Sequence, residues 1–324
     1  MTRLFPLIAY KVMTLMLTIM TSFGMISTPS VETPIAPVDP DTVQLTFAAW
    51  GDSQVSNYLY EREANFVAAC NDVKNSAIKL DALVIAGDIA ENGLESEYKF
   101  VGEKLAELKD NVNDFIISYG NHDIRLKAFG LQSKRIANFH NDLCSGKVEK
   151  NHLNYTTEIN GYKFIVMNSD KSVFEEGWYS DEQLAWLDSE IASTQESGKP
   201  VFVVNHQPLK KTHGLPDTWG SPAIFDAGSI GDQSNDVKAI FEKYDNVIYI
   251  TGHLHTGFGK YTYEDYGSFK SVNLPTIACN NDNGYEADGQ GYIFEVYEDR
   301  VIGRARVFAT GEYLPEYDFT IELN

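Results

Sequence analysis

A chain of 324 residues with 43% apolar and 12% aromatic content can fill a substantial core, which excludes a disordered protein. The formal net charge is −20, so the mean field repels polyanions and leaves no electrostatic footprint for nucleic acid; an anionic substrate needs a local positive site. The three cysteines, Cys70, Cys144 and Cys279, are widely spaced with no C-x-x-C pair, which excludes a zinc ribbon and a disulfide-dense scaffold and reads best as buried small hydrophobes.

At the N-terminus, Arg3 and Lys11 precede an uncharged, mostly apolar stretch from Val12 to Ile26, and Ser22-Phe23-Gly24 offers a small-x-small cleavage triplet. Residues 1–27 therefore read as an export signal. The rival reading is a membrane anchor, but the Ser, Thr and Pro content falls short of the ~20 apolar residues that a span needs. Residues 28–42, with Pro29, Pro34, Pro37 and Pro40 among Glu32, Asp39 and Asp41, read as a stiff acidic linker, and residues 43–324 as one folded domain. The expected location is secreted or cell-surface, with any membrane tether supplied by the N-terminus alone.

From Val43 onward, short β-type runs alternate with amphipathic helical stretches. The first run, Leu45 to Trp50, is followed by a helix over about residues 61–79 with Phe66, Cys70, Val73 and Ala77 on one face. Ala82 to Ala86 is the second run, and a helix near 95–109 follows. Phe115 to Tyr119 is the third, ahead of a helix across 125–142. Tyr155 to Ile159 and Tyr162 to Asn168 flank Asn160-Gly161, a pair suited to a hairpin turn in which both central residues take positive φ. Ser180 and Gln183 are spaced as a capping box for the next helix. Val201 to Asn205 is a strand, Val237 to Tyr244 a helix, Val247 to Thr251 a strand, and the β-rich tail from Gly291 turns near Asp299-Arg300. This is one mixed α and β domain, with early strands parallel and late strands antiparallel.

Five of the β-runs end in residues of metal-ligand type. Asp52 and Gln54 follow the first, and Asp88 the second. Gly120-Asn121-His122-Asp123 follows the third, His206 the strand from Val201, and Gly252-His253-Leu254-His255 the strand from Val247. Strand ends share one edge of a sheet, where their loops can converge. The mixed oxygen and imidazole set suits divalent Mn, Fe, Zn or Mg. Two such ions held by two carboxylates and neutral ligands retain about two positive charges, a phosphate sink inside an acidic protein.

The motifs Asp52-Ser53-Gln54, Gly87-Asp88, Gly120-Asn121-His122-Asp123, His206 and Gly252-His253-Leu254-His255 resemble, in order, those of the calcineurin-like metallophosphoesterase superfamily. The resemblance implies an α+β fold, a two-sheet β-sandwich flanked by helices with its motifs on loops at strand ends. It also implies a binuclear centre that hydrolyses phosphate monoesters or diesters with hydroxide generated between the metals. In the family's roles Asp88 bridges, Asp52, Gln54 and His255 serve the first metal, and Asn121, His206 and His253 the second. His122 is then the catalytic group that meets the substrate, and Glu91, three residues after the bridging Asp, orients it. Two positions depart from the pattern. Gln54 stands where the family has His, which hardens or weakens the first site. Glu91 stands where purple acid phosphatases have an iron-binding Tyr.

The partner expected is a small-molecule phosphate ester. Because Gln54 weakens one metal site, the competing reading is a catalytically weak or inactive surface protein that binds phospho-ligands. His140, His152 and His213 have no ligand-spaced neighbours and read as surface residues. The segment from Gln207 to Gln233, with Lys210, Lys211, His213, Asp217 and Trp219, reads as a substrate loop or solvated decoration, and Asn280 to Asn283 as a plain turn.

Overall fold

Apolar runs buried on both faces belong inside sheets covered from either side. In the computed structural model, which describes residues 33–125, 127–172, 174–219 and 228–323, each of the early runs takes that place. Strands β1 (Leu45–Trp50), β2 (Leu80–Ala86) and β3 (Val112–Ser118) pair in parallel, and β1 also pairs antiparallel with β10 (Gln290–Val296). With β11 (Arg300–Val307), β12 (Glu312–Tyr313) and β13 (Phe319–Glu322) they make a seven-stranded sheet in the order β12-β11-β10-β1-β2-β3, β13 pairing with β11. The second sheet contains β4 (Tyr155–Ile159), β5 (Tyr162–Val166), β6 (Val201–Val204), β7 (Val247–Thr251), β8 (Tyr263–Asp265) and β9 (Phe269–Asn273) in the order β4-β5-β6-β7-β9-β8. The architecture is the two-sheet sandwich flanked by helices.

The sheets meet through aromatic side chains. Phe47 on β1 sets its ring edge-on to Phe164 of β5 and Phe202 of β6, with centroids 5.4 and 5.2 Å away, and stacks on Phe294 of β10 at 4.8 Å. Outside the first sheet, helix α1 (Tyr60–Lys74) buries Phe66, Ala69, Cys70 and Val73; α2 (Glu95–Ala106) and α3 (Phe129–Leu143) also belong to that side. Helices α4 (Asp181–Ala192) and α5 (Ser234–Phe241) seal the second sheet with Leu187, Ile191, Val237 and Phe241.

Several expectations are refined. Asn160 and Gly161 take φ of 53° and 77° in the β4–β5 hairpin, as the turn requires. Ser180 caps α4 by accepting from the Gln183 N–H, but the Gln183 side chain donates to the Asn168 carbonyl instead of returning to Ser180, so the box is half made. The first helices end earlier than their periodicity suggests, at Lys74 and Ala106. All three cysteines are free and buried.

The segment read as a linker is described from residue 33, and it lies on the fold. Ile35 is buried, the Ala36 and Thr33 carbonyls accept from Arg304 and Arg306, and the Val38 N–H donates to Glu295. His140 and His213, expected at the surface, are buried: each ring has both nitrogens in hydrogen bonds, His140 with Tyr119 and Gly146, His213 with Tyr261 and Ser271. His152 is exposed. Residues 1–32, which contain the export or anchor stretch, lie outside the described residues. Among the described residues no helix is long and apolar enough to cross a membrane.

Candidate metal centre

The loops after β1, β2, β3, β6 and β7 converge, and those after β1, β2 and β7 do so by leaving the extended conformation abruptly. Asp52, Gln54, Asp88, His253 and His255 have φ of 42°, 36°, 47°, 75° and 49°, left-handed backbone that turns each side chain inward at the strand end. Two glycines permit the close approach. A Cβ at Gly120 would lie 2.0 Å from an Asp88 carboxylate oxygen, and one at Gly87 would lie 2.4 Å from Nδ1 of His206.

Asp88, His206 and His253 each turn one ligand atom toward a common point, all within 4.8 Å of one another. His206 donates its Nδ1–H to the Ala86 carbonyl at 2.8 Å, which leaves Nε2 facing the cluster. That Nε2 is 3.1 Å from Nδ1 of His253, 3.1 Å from Oδ1 of Asn121 and 3.3 Å from Oδ2 of Asp88. On the other side of Asp88, Oδ1 of Asp52 is 3.3 Å from Nε2 of His255, while Oδ2 accepts from the His253 N–H at 2.8 Å. The Trp219 ring stacks on His253 with centroids 4.4 Å apart. Of the segment after His206, Trp219 thus reaches the centre, while Lys211 and Asp217 are exposed.

Two polar atoms decide whether these residues fit a cation. Nε2 of His253 is buried without a hydrogen-bond partner and Oδ1 of Asp52 has only its ion-pair contact with Nε2 of His255, a costly arrangement unless a ligand completes it. The ionisation of the cluster agrees. Burial opposes charge throughout, yet His206, with His122 and His253 behind it, holds Asp88 below the usual carboxylate range. Burial would lower His206, but Asp88 and Asp52 push it up to about 9; burial and the His206 charge drive His253 well down. A proton on His206 occupies the place between carboxylates where a divalent ion fits.

Gln54 lies beside the first group of ligands with a definite orientation. Its Nε2 donates to Oδ2 of Asp88 at 3.0 Å, and its Oε1 accepts from Sγ of Cys279 at 3.0 Å and Nη1 of Arg62 at 3.3 Å. A carboxylate on one side and a guanidinium on the other dictate that amide orientation.

His122 is the second residue of the single helical turn Asn121–Ile124. Its backbone N–H donates to Asp88, and its Nδ1 lies 2.8 Å from the Glu91 carbonyl oxygen. The Glu91 carboxylate is 3.5 Å from the same nitrogen and is ion-paired with Arg62. Glu91 thus orients His122 mainly through its main chain. Asp123 accepts from the Gly120, Ile89 and Ala90 N–H groups and from the Tyr98 hydroxyl, which fixes the turn; burial and then the Asp88 charge push it up to about 7.

Sequence reasoning missed Arg62, Arg125 and Glu175. Glu175 accepts from Nδ2 of Asn121 at 2.7 Å and from Nη1 of Arg125 at 2.8 Å. Arg125 has a signal in the sequence, three residues after His122 and therefore on the same face of the turn. Glu175 has none, since it comes from an irregular loop after β5.

The sequence profile of the calcineurin-like phosphoesterase family matches residues 45–257, from the start of β1 to just beyond His255. The chain belongs to this family. As a calcineurin-like phosphoesterase it is a metal-binding hydrolase of phosphoric-ester bonds. A probable cyclic nucleotide phosphodiesterase of Fibrobacter succinogenes is 28% identical over 217 residues, 66% of this chain and 72% of that one. The glycerophosphodiester phosphodiesterase GpdQ of Enterobacter lignolyticus is 28% identical over 178 residues, 54% of this chain and 56% of the relative. A dimetal phosphatase from Danio rerio shares the fold over 88% of this chain and 100% of its own, with a TM-score of 0.58 at 14% identity.

Proposed function

We propose that this calcineurin-like phosphoesterase is an exported phosphodiesterase that works with two divalent ions. The observation that carries the choice of a diester is a pair of cavities at the centre. One of about 630 Å³ reaches His255, another of about 520 Å³ reaches His122, and Tyr58 lines both. A phosphate held at the ligands between them has space for an ester group on each side, whereas a monoester fills one. The names of the two relatives, a cyclic nucleotide and a glycerophosphodiester phosphodiesterase, support the same bond class.

Two ions, one at Asp52, Asp88 and His255 with Gln54 alongside and one at Asp88, Asn121, His206 and His253, would supply Lewis acidity toward the phosphoryl oxygens and an acidified water. The chain's own groups do the rest. His122 commits Nδ1–H to the Glu91 carbonyl, so Nε2 is the atom that hands a proton to the departing alkoxide. Arg62 neutralises Glu91 and keeps that carboxylate from repelling the substrate phosphate. Tyr58 and Tyr60, both exposed at the cavity reaching His255, offer apolar faces to the ester group there.

The test is a paired assay of metal-reconstituted protein on bis(p-nitrophenyl) phosphate and p-nitrophenyl phosphate. We expect kcat/KM at least about tenfold higher on the diester, with turnover lost in Asp88→Asn; preference for the monoester would overturn the reading. Export rests on the apolar stretch within residues 1–27. It predicts that protein recovered from the native host lies outside the cytoplasmic membrane, and recovery in the cytosol with Met1 intact would refute it.

A further inference from the structure

Asn121 can serve a metal only through its amide oxygen, yet an amide has two nearly isosteric ends. What decides which end faces His206 is Glu175. Its Oε2 accepts from Nδ2 of Asn121 at 2.7 Å, and a carboxylate cannot accept from an oxygen, so Oδ1 is left pointing at Nε2 of His206, 3.1 Å away. Glu175 is itself held at three points. Its Oε1 takes Nη1 of Arg125 at 2.8 Å, and its backbone carbonyl takes Nε2 of Gln207 at 3.1 Å, so a loop residue is tied both to the turn carrying His122 and to the residue after His206. Arg125 closes the turn that carries His122, its backbone N–H donating to the Asn121 carbonyl at 2.7 Å, so its ion pair with Glu175 braces that turn. The Glu175 side chain is 21% exposed, shielded enough for the bonds to hold against water.

We propose that Glu175 is a positioning residue for this centre: it locks the amide of Asn121 with oxygen toward the second metal and, through Arg125, fixes the turn that presents His122. The proposal rests on the reading that two ions bind, and it predicts an effect confined to one of them. Among the described residues Glu175 bonds Asn121, Arg125 and Gln207 but neither Asp52 nor His255, the ligands peculiar to the other ion, so their site should be left alone.

Metal-free protein titrated calorimetrically with Mn²⁺ tests this without reference to turnover. Wild type should show two binding events. In Glu175→Ala one event should weaken roughly ten- to hundredfold, the usual effect of removing a partner behind a metal ligand, while the other keeps its affinity. Glu175→Gln, whose amide oxygen still accepts from Asn121, should recover most of the lost affinity. Unchanged affinities in Glu175→Ala would overturn the proposal, as would equal weakening of both events in the Ala and Gln variants, the mark of general destabilisation. Thermal melts of the metal-free variants within a few degrees of wild type guard the comparison. Failure of wild type to bind two ions would instead sink the binuclear reading.

Discussion

Nδ1 of His122 is occupied by a carbonyl oxygen, and this determines how its loss should show itself. A proton supplied at Nε2 matters most when the leaving oxygen is a poor one. His122→Ala should cost about 10²- to 10⁴-fold in kcat on an alkyl diester, and far less on a p-nitrophenyl diester whose phenolate needs no proton. Equal losses on both would remove His122 from leaving-group protonation. A second histidine governs stability. His140 accepts from the Tyr119 hydroxyl at Nδ1 and donates from Nε2 to the Gly146 carbonyl, a neutral tautomer fixed at both ends. Burial first, and the charge of Lys147 after it, lower its pKa to about 4 from 6.5. Between those values the unfolded chain binds a proton that the folded chain refuses, so stability is intact above pH 6.5 and falls as pH drops toward 4. At about 1.4 kcal/mol per pH unit the loss is about 3 kcal/mol. Urea titrations at pH 7 and pH 4.5 should therefore show a shallower acid decline in His140→Gln than in wild type. At this scale the proposed ligands were legible because chemistry limits them to a few residue types at strand ends. Burial of His140 was not, although Ile136 and Ala137, on the same face of α3, carried a hint of it.

Between elements, the most consequential link is Arg306 on β11. It is fully buried, donates Nε and Nη2 to the two carboxylate oxygens of Asp72 on α1, and gives Nη2 also to the Thr33 carbonyl. Arg306→Met removes the guanidinium and leaves a shielded carboxylate behind, for an expected loss of about 3–5 kcal/mol by urea denaturation. Adding Asp72→Leu to that variant should restore much of it. Shortening the chain to begin at Val43 should also lower the unfolding midpoint, since Ile35 and the Arg304 and Arg306 contacts go with it. The strands and the Asn160-Gly161 turn were legible because pleat and turn are local. The docking of residues 33–42 was not, because proline and acidic residues hide one buried isoleucine and a set of main-chain bonds that no side-chain pattern encodes.

Across the whole molecule the net charge of −20 opposes the approach of any phosphate ester, while the centre, with the two proposed ions bound, would offer a compact positive sink. Salt screens the distant repulsion more than the close attraction. For an anionic diester, kcat/KM should thus rise about twofold from 10 to 150 mM salt, and a monotonic fall would show that the local field dominates the encounter. The order of strands illustrates the limit of sequence reading at this scale. That β10, near the C-terminus, inserts beside β1 is a pairing between residues 45–49 and 292–296, which no local periodicity reports. Helices alternating with strands disclosed the parallel portions; the sandwich itself came from the motif resemblance.

The left-handed backbone at Asp52, Gln54, Asp88, His253 and His255 bears on folding as well as on chemistry. Each such residue outside glycine costs on the order of 1 kcal/mol. Together they approach the net stability of an ordinary domain. Ions that bind only the folded chain would offset this by mass action, which would make the proposed metals folding ligands too. Chelation should therefore do more than silence the enzyme. The melting temperature should fall when metal is stripped and climb again with added Mn²⁺ in step with occupancy, so that a metal-starved cell would lose the protein itself to proteolysis and not merely its activity.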